Sequence, residues 1–258
     1  MRAASANVLG DADALAYIAA VESADGQSLE SGVKDAITAF VVGCKTDGIW
    51  TAIKASAILA GARTQSGALT PLVGTAPTLV GTAGGWTYNR KTGVKGNGTN
   101  NGIDSNRASN QDPQNSAHVA FYISTIGTGA SFFDNATSTT ARLTFYDTNS
   151  GGRGQINSST AITGIGIPTG GFAGFSRSAF NAWVSRVNGS TSATRTTNSS
   201  APTSGTVIFQ ARRNTTTGVL ESLRTDAVTF YSVGESLDLA LLDTRVTDLI
   251  NAFAVTIP

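Results

Sequence analysis

The apolar positions of this 258-residue chain change period along its length. From residue 11 to about 62 they recur at helical spacing. Leu15, Ile18 and Ala19 make a short stripe that stops at Asp25-Gly26. Val33, Ile37, Phe40, Val41 and Cys44 make a second, which Ser28 is placed to cap and Asp47-Gly48 breaks. Ile49, Trp50, Ile53, Ala57 and Ala60 predict a third helix, ended by Gly61. Helices this short are marginal alone in water and need a surface to pack on.

Beyond residue 66 the apolar runs shorten to strand length. They include His118–Ser124, Ala141–Tyr146, Gly171–Ser176, Ala182–Val187 and Thr206–Ala211, separated by Gly, Asn, Ser and Thr clusters. Short strands at this spacing predict a sandwich or barrel. Asn188-Gly189 predicts a two-residue hairpin turn, because both central residues must take positive φ. Residues 190–205 are polar and uncharged, and read as either a polar strand and loop or a mobile segment.

The chain closes on the apolar run Val228–Val233 and then a helical pattern over 236–253. Leu239, Leu242, Val246, Leu249, Ile250 and Phe253 share one face of that helix. With fewer than three heptads, packing on the sandwich or the N-terminal helices is favoured over a coiled coil. The division expected is an N-terminal helical assembly segment over 1–65 and a β-sandwich over 66–258. Leu239, Leu242, Val246, Leu249 and Phe253 are the candidate packing or assembly surface.

Composition narrows the chemistry. Charged residues are 14%, about half the usual share. Between residues 66 and 235 stand twelve bases and seven acids, with no dense Lys/Arg run to suggest nucleic acid. Cys44 is the single cysteine, so no intrachain disulfide forms. Neither a signal peptide nor a membrane-length apolar run is recognisable.

Catalytic patterns are thin. A glycosidase needs two opposed carboxylates, yet no glutamate lies between residues 31 and 220. The core acids Asp104, Asp112, Asp134 and Asp147 are far apart in sequence. The only histidine, His118, excludes a multi-histidine metal site. Gly96-Asn-Gly98 lacks the Lys-Ser/Thr of a phosphate loop. Asp134-Asn135, Asp147 with Asn149, and Asp104 with Asn106 offer oxygens to Ca²⁺ without an ordered ligand pattern, so the expectation is no cofactor, with Ca²⁺ the open alternative. For glycan binding the best local cluster is Trp86 and Tyr88 with Asn97, Asn101 and Asp104. A core Trp and a strand Tyr is the competing reading.

Two resemblances follow. Gly174–Ser178, the hairpin Trp183–Ser190 and the run Phe230–Leu237 resemble concanavalin A-like (laminin-G-like) jelly-roll domains. That resemblance implies a mainly β, jelly-roll sandwich flanked by an N-terminal helical segment and a C-terminal helix. A wider set is similar to a group of tailed-bacteriophage and prophage virion proteins. It comprises Asp47–Ser56, Leu59–Arg63, Tyr88–Gly93 with Gly96-Asn-Gly98, Ser105–Arg107, Asp112–Gln114 and Gly234–Asp243. This second resemblance implies a non-enzymatic tail, fibre or capsid-decoration protein located in the virion. Its partners would be other copies of itself, a trimer among the candidates, other virion proteins, and host-surface glycan. A lectin-like module is the alternative function, and a glycoside hydrolase a third.

Overall fold

The computed structural model describes residues 10–135, 141–148, 151–214 and 216–258. In chain order the first elements are α1 (Ala12–Asp25), α2 (Ser31–Thr46), β1 (Ile53–Ile58) and a short α3 (Gln65–Ala68). Then come β2 (Thr78–Gly81), β3 (Trp86–Asn89), β4 (Gly93–Gly96), β5 (Asn101–Ala108), β6 (Ala117–Thr125), β7 (Ser131–Asp134), β8 (Arg142–Asp147), β9 (Gly152–Ser158) and β10 (Ile162–Ile165). The remainder are β11 (Gly171–Ala179), β12 (Ala182–Val187), β13 (Ser190–Thr191), β14 (Thr206–Phe209), β15 (Arg212–Arg213), β16 (Leu220–Glu221), β17 (Ala227–Gly234) and α4 (Leu239–Thr256).

Two antiparallel sheets form a jelly-roll-type sandwich. One runs β13-β12-β11-β6-β17-β4-β3, with β1 also paired to β17. The other runs β10-β9-β8-β7-β14-β5-β2. Between them lies an aromatic core in which Phe121, Phe132, Phe133, Phe145, Phe175 and Phe209 meet ring to ring at 4.8–6.5 Å. Such pairs add to area burial through edge and offset contacts.

The first sheet is covered on its other face too. There α1, α2 and α4 lay Val21, Val33, Phe40, Leu242, Val246 and Phe253 in one cluster with Ile58, Ala120, Phe172 and Phe230. Burial on both sides explains why β17 carries no polar alternation: all eight of its residues are buried.

The third helix expected over residues 49–60 is absent. After a single 3₁₀ turn at Trp50–Ala52 the chain enters β1 and pairs with β17, Ala57 opposite Tyr231 and Ile58 opposite Phe230. Ala55, Ala57 and Leu59 face the sandwich core, while Ile58 and Ala60 face the helices. With both faces apolar the period of two vanishes, and an Ala-rich run then imitates a helix. The helical part of the 1–65 segment thus gives way to a sheet strand at Ile53.

Two further details differ. Ser28 does not cap α2; its carbonyl accepts from Arg63 Nε, and the helix starts one residue after Glu30. In α1 the buried stripe is Ala14, Tyr17, Ile18 and Val21, leaving Leu15 55% exposed. The Asn188-Gly189 turn forms as expected, with φ of 52° and 76°. The C-terminal helix also forms, capped by Asp238. Its five candidate surface residues, Leu239, Leu242, Val246, Leu249 and Phe253, are at most 2% exposed. They are packing residues of the chain's own core, and α2 and the sheet already cover the face expected to serve assembly.

Candidate functional site

The expected Trp86 cluster divides in two. Trp86 stands half-buried on β3, opposite Gly96 of β4. From Gly96 the chain crosses to the second sheet through residues 97–100. Gly98 turns there at φ +74°, and Asn97 Oδ1 accepts from the Thr99 amide. Asn97 also donates its own amide to the Gly85 carbonyl. Asn101, first residue of β5, is fully buried.

These side chains converge on two bare glycines. A Cβ on Gly85 would lie 2.7 Å from Asn101 Oδ1 and 2.8 Å from Asn97 Nδ2. One on Gly96 would lie 3.3 Å from the Trp86 ring and 3.4 Å from Gln210 Oε1. Gln210 joins the cluster from the second sheet. Its backbone takes φ 66°, and its amide nitrogen donates to the Asp226 carbonyl. Asn101 Oδ1 and Gln210 Oε1 are both buried without a hydrogen-bond partner. Unpaired buried acceptors are costly and uncommon.

Tyr88 and Asp104 go elsewhere. Tyr88 donates its hydroxyl to the Ala62 carbonyl at 2.6 Å and packs against both cores. Burial raises its pKa above the ordinary phenol value. Asp104 accepts from the Asn106 amide, Thr206 Oγ1 and Arg213 Nη2. Gln210 was invisible in the sequence, where it merely ends an apolar run. Only its positive φ, a property of the folded chain, turns it toward Gly96.

The acids of the sandwich are all neutralised. Asp112 is bound by Arg107 through both oxygens, and Asp226 by Arg224 likewise. Asp134 pairs with Arg142 and also accepts from Thr144 and Tyr146. Asp104, Asp147, Glu221 and Glu235 lie 2.9–3.9 Å from Arg213, Arg224, Arg212 and Lys54. The loops considered for Ca²⁺ are engaged in the same way. Asn135 bonds Ser109 and the Leu143 amide, and Asn106 bonds Ala76 and Thr78. Asn149 lies outside the described residues, and among those described no cluster of His, Cys, Asp and Glu could hold a metal.

His118 is fully buried, with Nδ1 against the Glu235 carbonyl and Nε2 against Ser232 Oγ at 2.7 Å. Burial lowers its pKa to about 4. Both ring nitrogens are thus engaged by β17 and the residue that follows it.

No family model matches the chain, and no curated protein sequence does. Solved structures do. The botulinum neurotoxin serotype D binding domain is 11% identical over 76% of this chain and 51% of that one, with a TM-score of 0.52. A mutant of Trypanosoma rangeli sialidase displaying trans-sialidase activity is 11% identical over 83% of this chain and 39% of that one, at 0.51. Domain 4 of a GH43 extracellular arabinanase from Geobacillus stearothermophilus, solved with arabinotriose, is 17% identical over 68% and 88%, at 0.46. The chain thus spans about half of the neurotoxin domain and 39% of the sialidase. At these identities the likeness is one of fold, a β-sandwich, and fold does not fix function. Among the described residues no helix is long and apolar enough to cross a membrane.

Proposed function

We propose that this chain is a non-catalytic recognition module of a bacteriophage virion, in a tail, fibre or decoration position, and that its sandwich binds host-surface glycan at the Trp86 patch. The observation that carries the glycan reading is the half-buried Trp86 ring on β3 with the exposed Asn97 beside it, above the buried amides of Asn101 and Gln210. A sugar offers a C–H face for the indole and hydroxyls for the exposed Asn97 amide.

Absence of catalysis is part of the proposal. A glycosidase acid needs a raised pKa and an opposed carboxylate. Each of the seven acids between residues 66 and 235 instead lies within ion-pair distance of an arginine or lysine.

The virion placement rests on the sequence resemblance, and the positions of the motif residues fit an architectural part. Asp47 binds Arg245 of α4 through both oxygens. Arg63 and Arg90 both reach Glu30. Arg107 holds Asp112, and Asp243 holds Arg186. These residues fasten helices, hairpins and loops to one another. Assembly with further copies of the chain and with other virion proteins belongs to the same proposal.

The test is a glycan array and host polysaccharide titration with wild type and Trp86→Ala, together with mass spectrometry of purified particles. Binding that is lost in Trp86→Ala, with the chain present in particles, supports the reading. Release of reducing sugar from host polysaccharide would sink the non-catalytic claim. Particle incorporation without glycan binding would leave a purely architectural role.

A further inference from the structure

An open cavity, built from elements other than those of the Trp86 patch, lies along the segment that follows β13. It has a volume of about 490 Å³ and is lined by Ile162, Ser192, Arg195, Thr196 and Thr197 among others. The segment is held in place. Arg195 exchanges backbone hydrogen bonds with Trp183 at 2.8 and 3.2 Å, and the Ser192 amide donates to the Ser185 carbonyl. Trp183 Nε1 donates to Thr197 Oγ1 at 2.7 Å. The buried Arg177 donates Nη1 and Nη2 to the Thr197 carbonyl.

Within this frame Arg195 is a cation without a counter-charge. Its guanidinium carbon lies 5.4 Å from the centroid of the Trp183 ring, which it covers. Its Nε is buried and has no hydrogen-bond partner. Among the described residues no carboxylate pairs with it. The sequence shows why: no Asp or Glu occurs between Asp147 and Glu221, a stretch holding six arginines. Of these, Arg186, Arg212 and Arg213 find acids elsewhere in the chain, and Arg177 is spent on backbone carbonyls. Burial without a facing anion lowers the Arg195 pKa.

We infer that this cavity is a subsite for an acidic saccharide, with Arg195 receiving a carboxylate or sulfate group of the sugar. A guanidinium fixed on an indole is already ordered, so an incoming anion meets donors whose conformational entropy is largely spent. The exposed Thr194 and Thr196 hydroxyls at the rim suit the sugar's own hydroxyls. The choice of a saccharide rests on the glycan reading proposed above, while the site itself shares no residue with the Trp86 patch, so either can fail without the other.

The experiment is calorimetric titration of the full chain with three probes: oligogalacturonate for carboxylate, dextran sulfate for sulfate, and neutral dextran. Wild type binds at least one acidic probe, more weakly as salt is raised. The probe that binds identifies the anion. Arg195→Gln lowers that affinity at least tenfold, Arg195→Lys lowers it less, and Trp86→Ala leaves it unchanged. Should Arg195→Gln fail to fold, Thr196→Glu at the exposed rim is expected to abolish acidic binding by repulsion. Failure of both acidic probes to bind, or equal affinity in the folded Arg195→Gln or Thr196→Glu variant, overturns the inference.

Discussion

Arg90 grips Glu30 through both carboxylate oxygens, Nη1 to Oε1 at 2.9 Å and Nη2 to Oε2 at 2.6 Å. Its Nε and Nη2 also donate to the Ala62 and Gly61 carbonyls. One side chain therefore ties the β3–β4 hairpin, the start of α2 and the end of the β1 segment together. Bidentate Arg–carboxylate pairs are among the stronger polar contacts. Glu30→Gln is expected to cost about 2 kcal/mol, the scale of hydrogen bonds to a charged group. The Arg90 bond lowers the Glu30 pKa to about 2. A depressed carboxylate pKa stabilises the fold above the unfolded value and loses that contribution as pH falls through the folded one. Urea denaturation between pH 6 and pH 2 should show a larger loss in wild type than in Glu30→Gln, the difference being the Glu30 contribution.

His118 gives a pH dependence of the same sign at a higher pH. Its folded pKa is about 4, lowered by burial from an ordinary 6.5. Below about 6.5 the unfolded chain takes up a proton that the folded chain refuses. Stability therefore falls as pH drops from about 6.5 to about 4 and falls no further from this group, a total on the order of 3 kcal/mol. Replacing His118 by Gln should flatten that window in denaturation curves. A slope unchanged by the substitution would assign the effect to another group.

Gly61 illustrates a position where the backbone decides. Its φ is +85°, and a Cβ would lie 2.7 Å from the Phe253 ring of α4. Gly61→Ala would strain the backbone and push Phe253 out of its packing. A loss of about 2–3 kcal/mol is expected from the two effects together. Thermal unfolding of the variant measures it, and an unchanged midpoint would refute this account of the Leu59–Arg63 motif.

The sandwich strands and α4 were legible because each carries a local signal. His118–Ser124 is a compact apolar run, Asn188-Gly189 has one comfortable turn, and Asp238 precedes a one-faced helix. β1 was not legible, because its polar face does not exist: helices bury one side and the second sheet the other. The candidate site was half legible. Trp86, Asn97 and Asn101 are close in sequence and converge around Gly85 and Gly96. Gln210 arrives from 109 residues past Asn101 through a pairing of β5 with β14 that no local pattern encodes. Asp104 left the cluster for Arg213, a partner equally distant along the chain.

Leu242 reports on the helical layer. It is fully buried in the cluster that joins α4 to α2 and the first sheet. Leu242→Ala should cost about 2–5 kcal/mol by leaving a cavity, and Leu242→Asp more by burying a charge. Both losses should appear in the dilute protein and be independent of its concentration, because the face is covered within one chain. A destabilisation that disappears at high protein concentration would instead restore this face to assembly.

Asn101 separates binding from stability. Its unpartnered Oδ1 burdens the unliganded fold, since a buried unsatisfied group costs about 1–3 kcal/mol. Asn101→Leu removes that polar atom while keeping the branched shape beside the Trp86 ring, and gives up only the long 3.5 Å bond from Nδ2 to the Thr82 carbonyl. The variant should melt at the same temperature as wild type or higher, while its affinity for the glycan recognised at the Trp86 patch falls at least tenfold. Gln210→Met should behave in the same way on binding but lose stability, because it also gives up the bond to the Asp226 carbonyl. Paired melting and titration curves on the two variants test this directly. An Asn101→Leu protein that is destabilised and binds normally would show the amide to be a packing element with no part in recognition at this patch.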